Sequence, residues 1–219
     1  MRVSVKICGI TETRALEAAV DAGADAVGFV MAESSRRVDS ARARALALDL
    51  PPTVKSVAVF HYPTIGELRS AAAQFTPDFI QVEPSPDVLQ ELDGTRLIPV
   101  FHDSDSLVAR LDDYIQLRGT ETPVHVEGPG RGGRGVPCDW SRAAAAARRG
   151  SVILAGGLTP DTVGEAIRRV RPHGVDVSSG VEGANGAKDP ARIRAFIEAV
   201  RDVEACPPLA GRTKAMACG

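Results

Sequence analysis

Aromatic residues are scarce in this chain: one tryptophan, two tyrosines and six phenylalanines among 219 residues, 4% in all. Single-stranded nucleic acids are held largely by stacking bases on such rings, so that mode of binding has little to build on. A charge excess is missing as well. The formal net charge is -2 and the isoelectric point near 6.1, which gives no long-range field to attract nucleic acid or an anionic membrane. The arginines at 131–134 sit among glycines, and Arg148-Arg149 close a helical stretch. Both read as solvated positions, and neither nucleic acid nor membrane is expected as a partner.

Cysteine is sparse and scattered. Cys8, Cys138, Cys206 and Cys218 form no CxxC pair, so neither a disulfide framework nor a zinc site is indicated, and reduced thiols and no metal are expected. Long apolar runs are absent too. Nothing approaches the roughly 20 residues that span a bilayer, and Met1-Arg2-Val3-Ser4-Val5-Lys6 enters a strand pattern without the apolar core of a signal peptide. A cytoplasmic location is the expectation.

What remains is an ordinary globular composition, 44% apolar and 25% charged, enough for one sizeable domain. Short β-branched runs alternate with Ala/Leu/Arg/Glu-rich stretches of helical period, the βαβα signature of a parallel sheet. Strands are predicted at Val3–Ile7, Ala26–Val30, Lys55–Phe60, Phe79–Val82, Leu97–Phe101, Val124–Glu127, Val152–Leu154 and Val175–Val177. Helical stretches fall at Glu12–Ala22, Ser40–Leu48, Ile65–Ala73, Ser141–Arg149, Pro160–Arg169 and Pro190–Val203, several with starting signals such as Asp39-Ser40, Asp139-Trp140-Ser141 and Thr159-Pro160-Asp161. Eight such strands predict an α/β fold of the (β/α)₈ TIM-barrel type over residues 1–205, with a doubly wound open sheet as the alternative. Residues 206–219, which include Pro207-Pro208, read as a poorly ordered C-terminal extension.

In such a barrel the working face is at the C-terminal ends of the strands. The polar residues there are Cys8, Arg36, Glu83, His102, Glu127, Gly156-Gly157, Asp176 and Ser178-Ser179-Gly180. Gly156, Gly157, Ser178, Ser179 and Gly180 end strands seven and eight, where barrels commonly bind a phosphate through backbone N–H groups. Cys8 is either a packed thiol or a base. As a base it needs its pKa lowered from about 8.5 by local positive charge, which Arg36 could supply; Lys6 shares its strand face if the strand reaches Cys8. Cys138 reads as a packed thiol.

The chain resembles the phosphoribosylanthranilate isomerases of tryptophan biosynthesis. The resemblance rests on KICGIT at 6–11, GADAVGFVMAESSRRV at 23–38, GGRG at 132–135 followed by Asp139-Trp140, ILAGGLTPDTV at 153–163, and GVDVSSGVE with GAKDPARIRAFI across 174–197. It implies a phosphate-binding (β/α)₈ barrel and a cofactor-independent Amadori rearrangement of N-(5-phosphoribosyl)anthranilate to 1-(2-carboxyphenylamino)-1-deoxyribulose 5-phosphate, in a monomer or homodimer. It further implies that Cys8 is the catalytic base, that Arg36 and Asp176 bind substrate, and that the turns after strands seven and eight cradle the phosphate. An acid must protonate the ring oxygen while a base removes the C2 proton, so two groups of opposed protonation are needed.

The departures lie elsewhere. The family's acid is an aspartate closing strand six in an LLD-like segment, and here Val124-His125-Val126-Glu127 makes Glu127 the candidate acid. Reading Tyr114-Ile115-Gln116-Leu117 as strand six would instead put Arg118 there, and arginine cannot donate a proton near neutrality. Gln81-Val82-Glu83-Pro84 stands where the family reads QLHG, so Glu83 is expected to change the charge offered to the ligand, and Arg134 replaces a small hydroxyl residue. Three readings stay open: the anthranilate isomerase itself, a related isomerase acting on a different phosphoribosylated amine, and a noncatalytic phosphosugar-binding paralogue.

Overall fold

The computed structural model describes residues 2–92, 96–119, 123–130 and 135–205. Its elements run β1 (Ser4–Cys8), α1 (Thr13–Asp21), β2 (Ala26–Val30), α2 (Ser40–Ala47), β3 (Lys55–Val59), α3 (Ile65–Gln74), β4 (Phe79–Val82), α4 (Pro86–Glu91), β5 (Leu97–His102), α5 (Leu107–Arg118), β6 (Val124–Glu127), α6 (Trp140–Ala147), β7 (Val152–Leu154), α7 (Pro160–Val170), β8 (Gly174–Val177) and α8 (Pro190–Ala205), with a 3₁₀ turn at Ser179–Val181. All neighbouring strands pair in parallel and β8 closes on β1, from Ser4 opposite Gly174 to Ile7 opposite Val177. The expected barrel is what forms, and the open-sheet alternative falls because β1 and β8 are joined. The expected poorly ordered tail at 206–219, and Gly132, Gly133 and Arg134 of the GGRG segment, lie outside the described residues.

The helices start where side chains satisfy their first N–H groups. Asp39 accepts from Arg42 N–H, Asp139 from the Ser141 and Arg142 N–H groups, and Thr159 N–H donates to Thr162 Oγ1 at 3.0 Å. Two helices were not expected from sequence. The short α4 is launched by Ser85, whose hydroxyl accepts from Val88 N–H, with Pro86 in the first turn. The twelve-residue α5 ends at Gly119 with φ +80°. It contains Tyr114 to Leu117, so the alternative strand six is a helix and β6 is Val124–Glu127.

Strand alternation sorts the core into two parts. Val5, Ile7, Val27, Phe29, Val126 and Val175 face outward into the sheath between sheet and helices. Inside the barrel an apolar cluster of Cys8, Val30, Val57, Val59, Ile98 and Ile153 is interrupted by buried Lys6, Gln81, His125 and Asp176. That polar interior lies directly beneath the working face.

Candidate active site

Cys8 ends β1, and Gly9 follows with φ +79°, a left-handed turn that a side chain would strain. The Gly9 and Ile10 N–H groups both donate to the carbonyl of Gly28 on β2, fixing the bend that brings the thiol to the mouth. One cavity at this mouth is lined by Cys8, Arg36, Glu127, Asp176, Gly156-Gly157 and Ser178 to Gly180. The expected base, acid, substrate-binding and phosphate-binding residues therefore meet in one place, drawn from β1, β6, β8 and three loops, while Glu83 and His102 do not line it.

The two phosphate-candidate turns are built around contacts that exclude side chains. Gly156 and Gly157 have φ of +87° and +66°, and a Cβ on Gly156 would stand 2.6 Å from Gly128 N. A Cβ on Gly180 would stand 1.9 Å from the Leu158 carbonyl oxygen, so the turns after β7 and β8 touch through their backbones. Lys188 ties the second turn down. Its ammonium, 2% exposed, donates to Ser178 O at 3.0 Å, Ser178 Oγ at 3.1 Å and Glu182 Oε1 at 2.6 Å.

Three cations surround the thiol. Arg36 is gripped by Glu182, with Nε to Oε1 at 2.5 Å and an Nη to Oε2 at 2.9 Å, and its charge bears on Cys8 together with those of Lys6 and Lys188. They do not prevail: burial pushes the thiol above its ordinary value and the Asp176 charge adds to this, so without ligand Cys8 is a thiol at neutral pH. Lys6 does share the thiol's strand face, because β1 runs through Cys8. Its ammonium donates to Asp176 Oδ2 at 2.7 Å, and His125 Nε2 lies 2.8 Å from the same oxygen. Burial alone would raise the Asp176 carboxyl, but the Lys6 charge and the His125 hydrogen bond hold it at about 2.

Glu127 ends β6 opposite His102 in the β5–β6 register. Glu83 is not offered to the ligand as expected. It is 6% exposed, and its carboxylate contacts His61 Nδ1 at 3.1 Å, His102 Nε2 at 3.2 Å and Tyr62 N–H at 3.1 Å. Burial would raise its pKa, yet these bonds hold it well below the usual carboxylate range, while Glu83 raises His102. The side chain that reaches the cavity from this cluster is His61. Sequence reasoning missed His61, Lys188 and His125; for His125 the signal was there, since it stands two residues before Glu127 on a strand and so shares its inward face.

The family model for N-(5'phosphoribosyl)anthranilate (PRA) isomerase matches residues 5–199. The N-(5'-phosphoribosyl)anthranilate isomerase of Chromohalobacter salexigens is 44% identical over 208 residues, covering 93% of this chain and 97% of the relative. A phosphoribosyl anthranilate isomerase solved in complex with reduced 1-(o-carboxyphenylamino)-1-deoxyribulose 5-phosphate superposes with a TM-score of 0.76 at 32% identity, covering 91% of this chain and 99% of the other. Monomeric forms of the dimeric phosphoribosylanthranilate isomerase from Thermotoga maritima give a TM-score of 0.77 at 30% identity, with 91% and 99% covered.

Proposed function

The chain belongs to the N-(5'-phosphoribosyl)anthranilate isomerase family, and from that premise we propose how its barrel mouth performs the family's reaction. The enzyme converts N-(5-phosphoribosyl)anthranilate to 1-(2-carboxyphenylamino)-1-deoxyribulose 5-phosphate by Amadori rearrangement, a step of tryptophan biosynthesis. Of the three readings open from sequence, the anthranilate isomerase stands.

In our reading the phosphate sits against Gly156, Gly157, Ser178, Ser179 and Gly180, and Arg36 and Asp176 contact the remainder of the substrate. Glu127, as the acid, gives a proton to the furanose ring oxygen; the C1–O bond breaks and the electron pair on nitrogen forms the iminium. Cys8, as thiolate, then takes the C2 proton, and the C2–H electron pair flows towards C1 to leave an enolamine that tautomerises to the ketose. The thiol gives up its own proton to solvent water at the mouth, against the pull of burial, helped by Lys6 and Lys188 and by the iminium charge created beside it. The observation that carries this reading is that Cys8 and Glu127 line one cavity with both glycine-bearing turns.

Rescue of a tryptophan auxotroph lacking the isomerase is the expected result for the wild-type gene. Cys8→Ser and Glu127→Gln are each expected to lower kcat by on the order of 100-fold or more, with ligand affinity retained. Turnover unchanged in Glu127→Gln would remove it as the acid. Residues 1–205 are proposed as the working unit, in a monomer or homodimer located in the cytoplasm. No described helix is long and apolar enough to cross a membrane.

A further inference from the structure

The polar layer inside the barrel contains a histidine that the reaction does not use. His125 is 1% exposed, and its hydrogen bond among the described residues runs from Nε2 to Asp176 Oδ2. An ionised carboxylate only accepts, so Nε2 carries a proton and donates it. Nδ1 is buried with no partner among the described residues. An aliphatic side chain would fill the same interior position without that cost.

The donors converge in a way that gives the histidine a use. Lys6 Nζ and His125 Nε2 end on the same oxygen of Asp176, at 2.7 and 2.8 Å. Lys6 and Cys8 lie side by side over Gly28, where an added Cβ would come within 3.1 Å of Lys6 Cε and 2.8 Å of Cys8 Sγ. The ammonium thus stands between a carboxylate that holds it and a sulfur that uses its charge. The stronger the pull of Asp176, the less of Lys6 is left for Cys8.

We propose that His125 is a positioning residue for the base: by sharing Asp176 Oδ2 with Lys6, it offsets part of the carboxylate's hold and leaves the Lys6 ammonium turned to the Cys8 sulfur. Its consequence for turnover rests on the reading of Cys8 as the base, whereas its consequence for the thiol does not. The charges that face the sulfur are Lys6 on β1, Asp176 on β8, Lys188 after β8 and Arg36 after β2, with His61 and Glu127 on the same cavity. Of these, Asp176 is the one that works against ionisation of the thiol and also holds Lys6.

The test is the pH profile of Cys8 alkylation by iodoacetamide, read by peptide mass mapping, in wild type, His125→Leu and His125→Gln. His125→Leu is expected to move the profile to higher pH by about one unit, so that Cys8 alkylates about tenfold more slowly at a fixed pH below the midpoint. His125→Gln, which keeps an N–H donor, is expected to stay within about twofold of wild type, and it carries the test alone if His125→Leu fails to fold. Coincident profiles for wild type and His125→Leu, or a shift in His125→Gln as large as in His125→Leu, would overturn the proposal. Turnover of N-(5-phosphoribosyl)anthranilate by the same proteins separates the two readings: an inactive wild type with the alkylation shift intact removes the isomerase reading and leaves the His125 assignment standing.

Discussion

Cys8 Sγ lies over the bare Cα of Gly28, its register partner on the neighbouring strand, and a Cβ there would stand 2.8 Å from the sulfur. Replacing Gly28 by Ala must push the thiol aside, because the contact is too short to be absorbed by small adjustments. A misplacement of about 1 Å at a reacting group can cost on the order of 100-fold. Gly28→Ala is expected to lose kcat on that scale while ligand affinity changes little. Steady-state kinetics beside a titration with the reduced product analogue would show this, and full activity would mean that the sulfur position is not critical.

Gly180→Ala tests the contact between the two phosphate-candidate turns. With 1.9 Å to the Leu158 carbonyl oxygen, a methyl group forces the turns apart. The expected loss is about 1–3 kcal/mol of folding stability, typical of overpacking, together with a raised KM for the phosphorylated substrate. Urea unfolding and KM measured on the same variant check both halves.

The second described thiol is predicted to be inert. Burial, reinforced by the charges of Asp103 and Asp139, pushes Cys138 up to about 12. Iodoacetamide at pH 9 should therefore leave Cys138 untouched, as peptide mass mapping would report. Labelling of Cys138 at that pH would show that the loop before α6 opens.

The Glu83–His102 pair gives a signed pH prediction. His102 is raised from its ordinary 6.5, so its contribution to stability is complete below that value and is lost as pH rises through the raised one. Glu83 is lowered from 4.5, so its contribution is complete above 4.5 and is lost as pH falls through the lowered value. The pair is therefore fully stabilising between about 4.5 and 6.5. Thermal unfolding followed from pH 3 to 9 is expected to show falling Tm on both sides in wild type and flatter limbs in Glu83→Gln. Parallel curves would show that the pair adds nothing that depends on charge.

Strand positions were legible because the expected runs are rich in β-branched or apolar residues between polar turns; four match to the residue and the other four differ by one residue at one or both ends. Helix α4 was not, since Pro86 to Glu91 spans barely more than one turn and carries no usable period. The ambiguity at strand six arose because Tyr114-Ile115-Gln116-Leu117 looks extended in isolation. In the fold, Leu107, Leu111 and Tyr114 form the buried stripe of α5 at helical spacing. Within the site, residue types were readable and pairings were not. Nothing local in the sequence says that Arg36 is bound by Glu182, 146 residues away, or that Glu83 is enclosed by histidines from the ends of β3 and β5. What Cys8 would need to act as a base was legible, but composition counts nearby cations and not the burial that outweighs them.

The closure of β8 on β1 also dictates the order in which this protein can become an enzyme. Lys6 is made 170 residues before the carboxylate that neutralises it, and Lys188 follows later still. Until β8 docks, a nascent chain carries an unmatched lysine pointing at its own interior and two unpaired sheet edges on β1 and on the last strand made. Such long-range pairings are slow to form and expose aggregation-prone edges while they wait. The Cys8 thiol is thus made long before its electrostatic surroundings are complete.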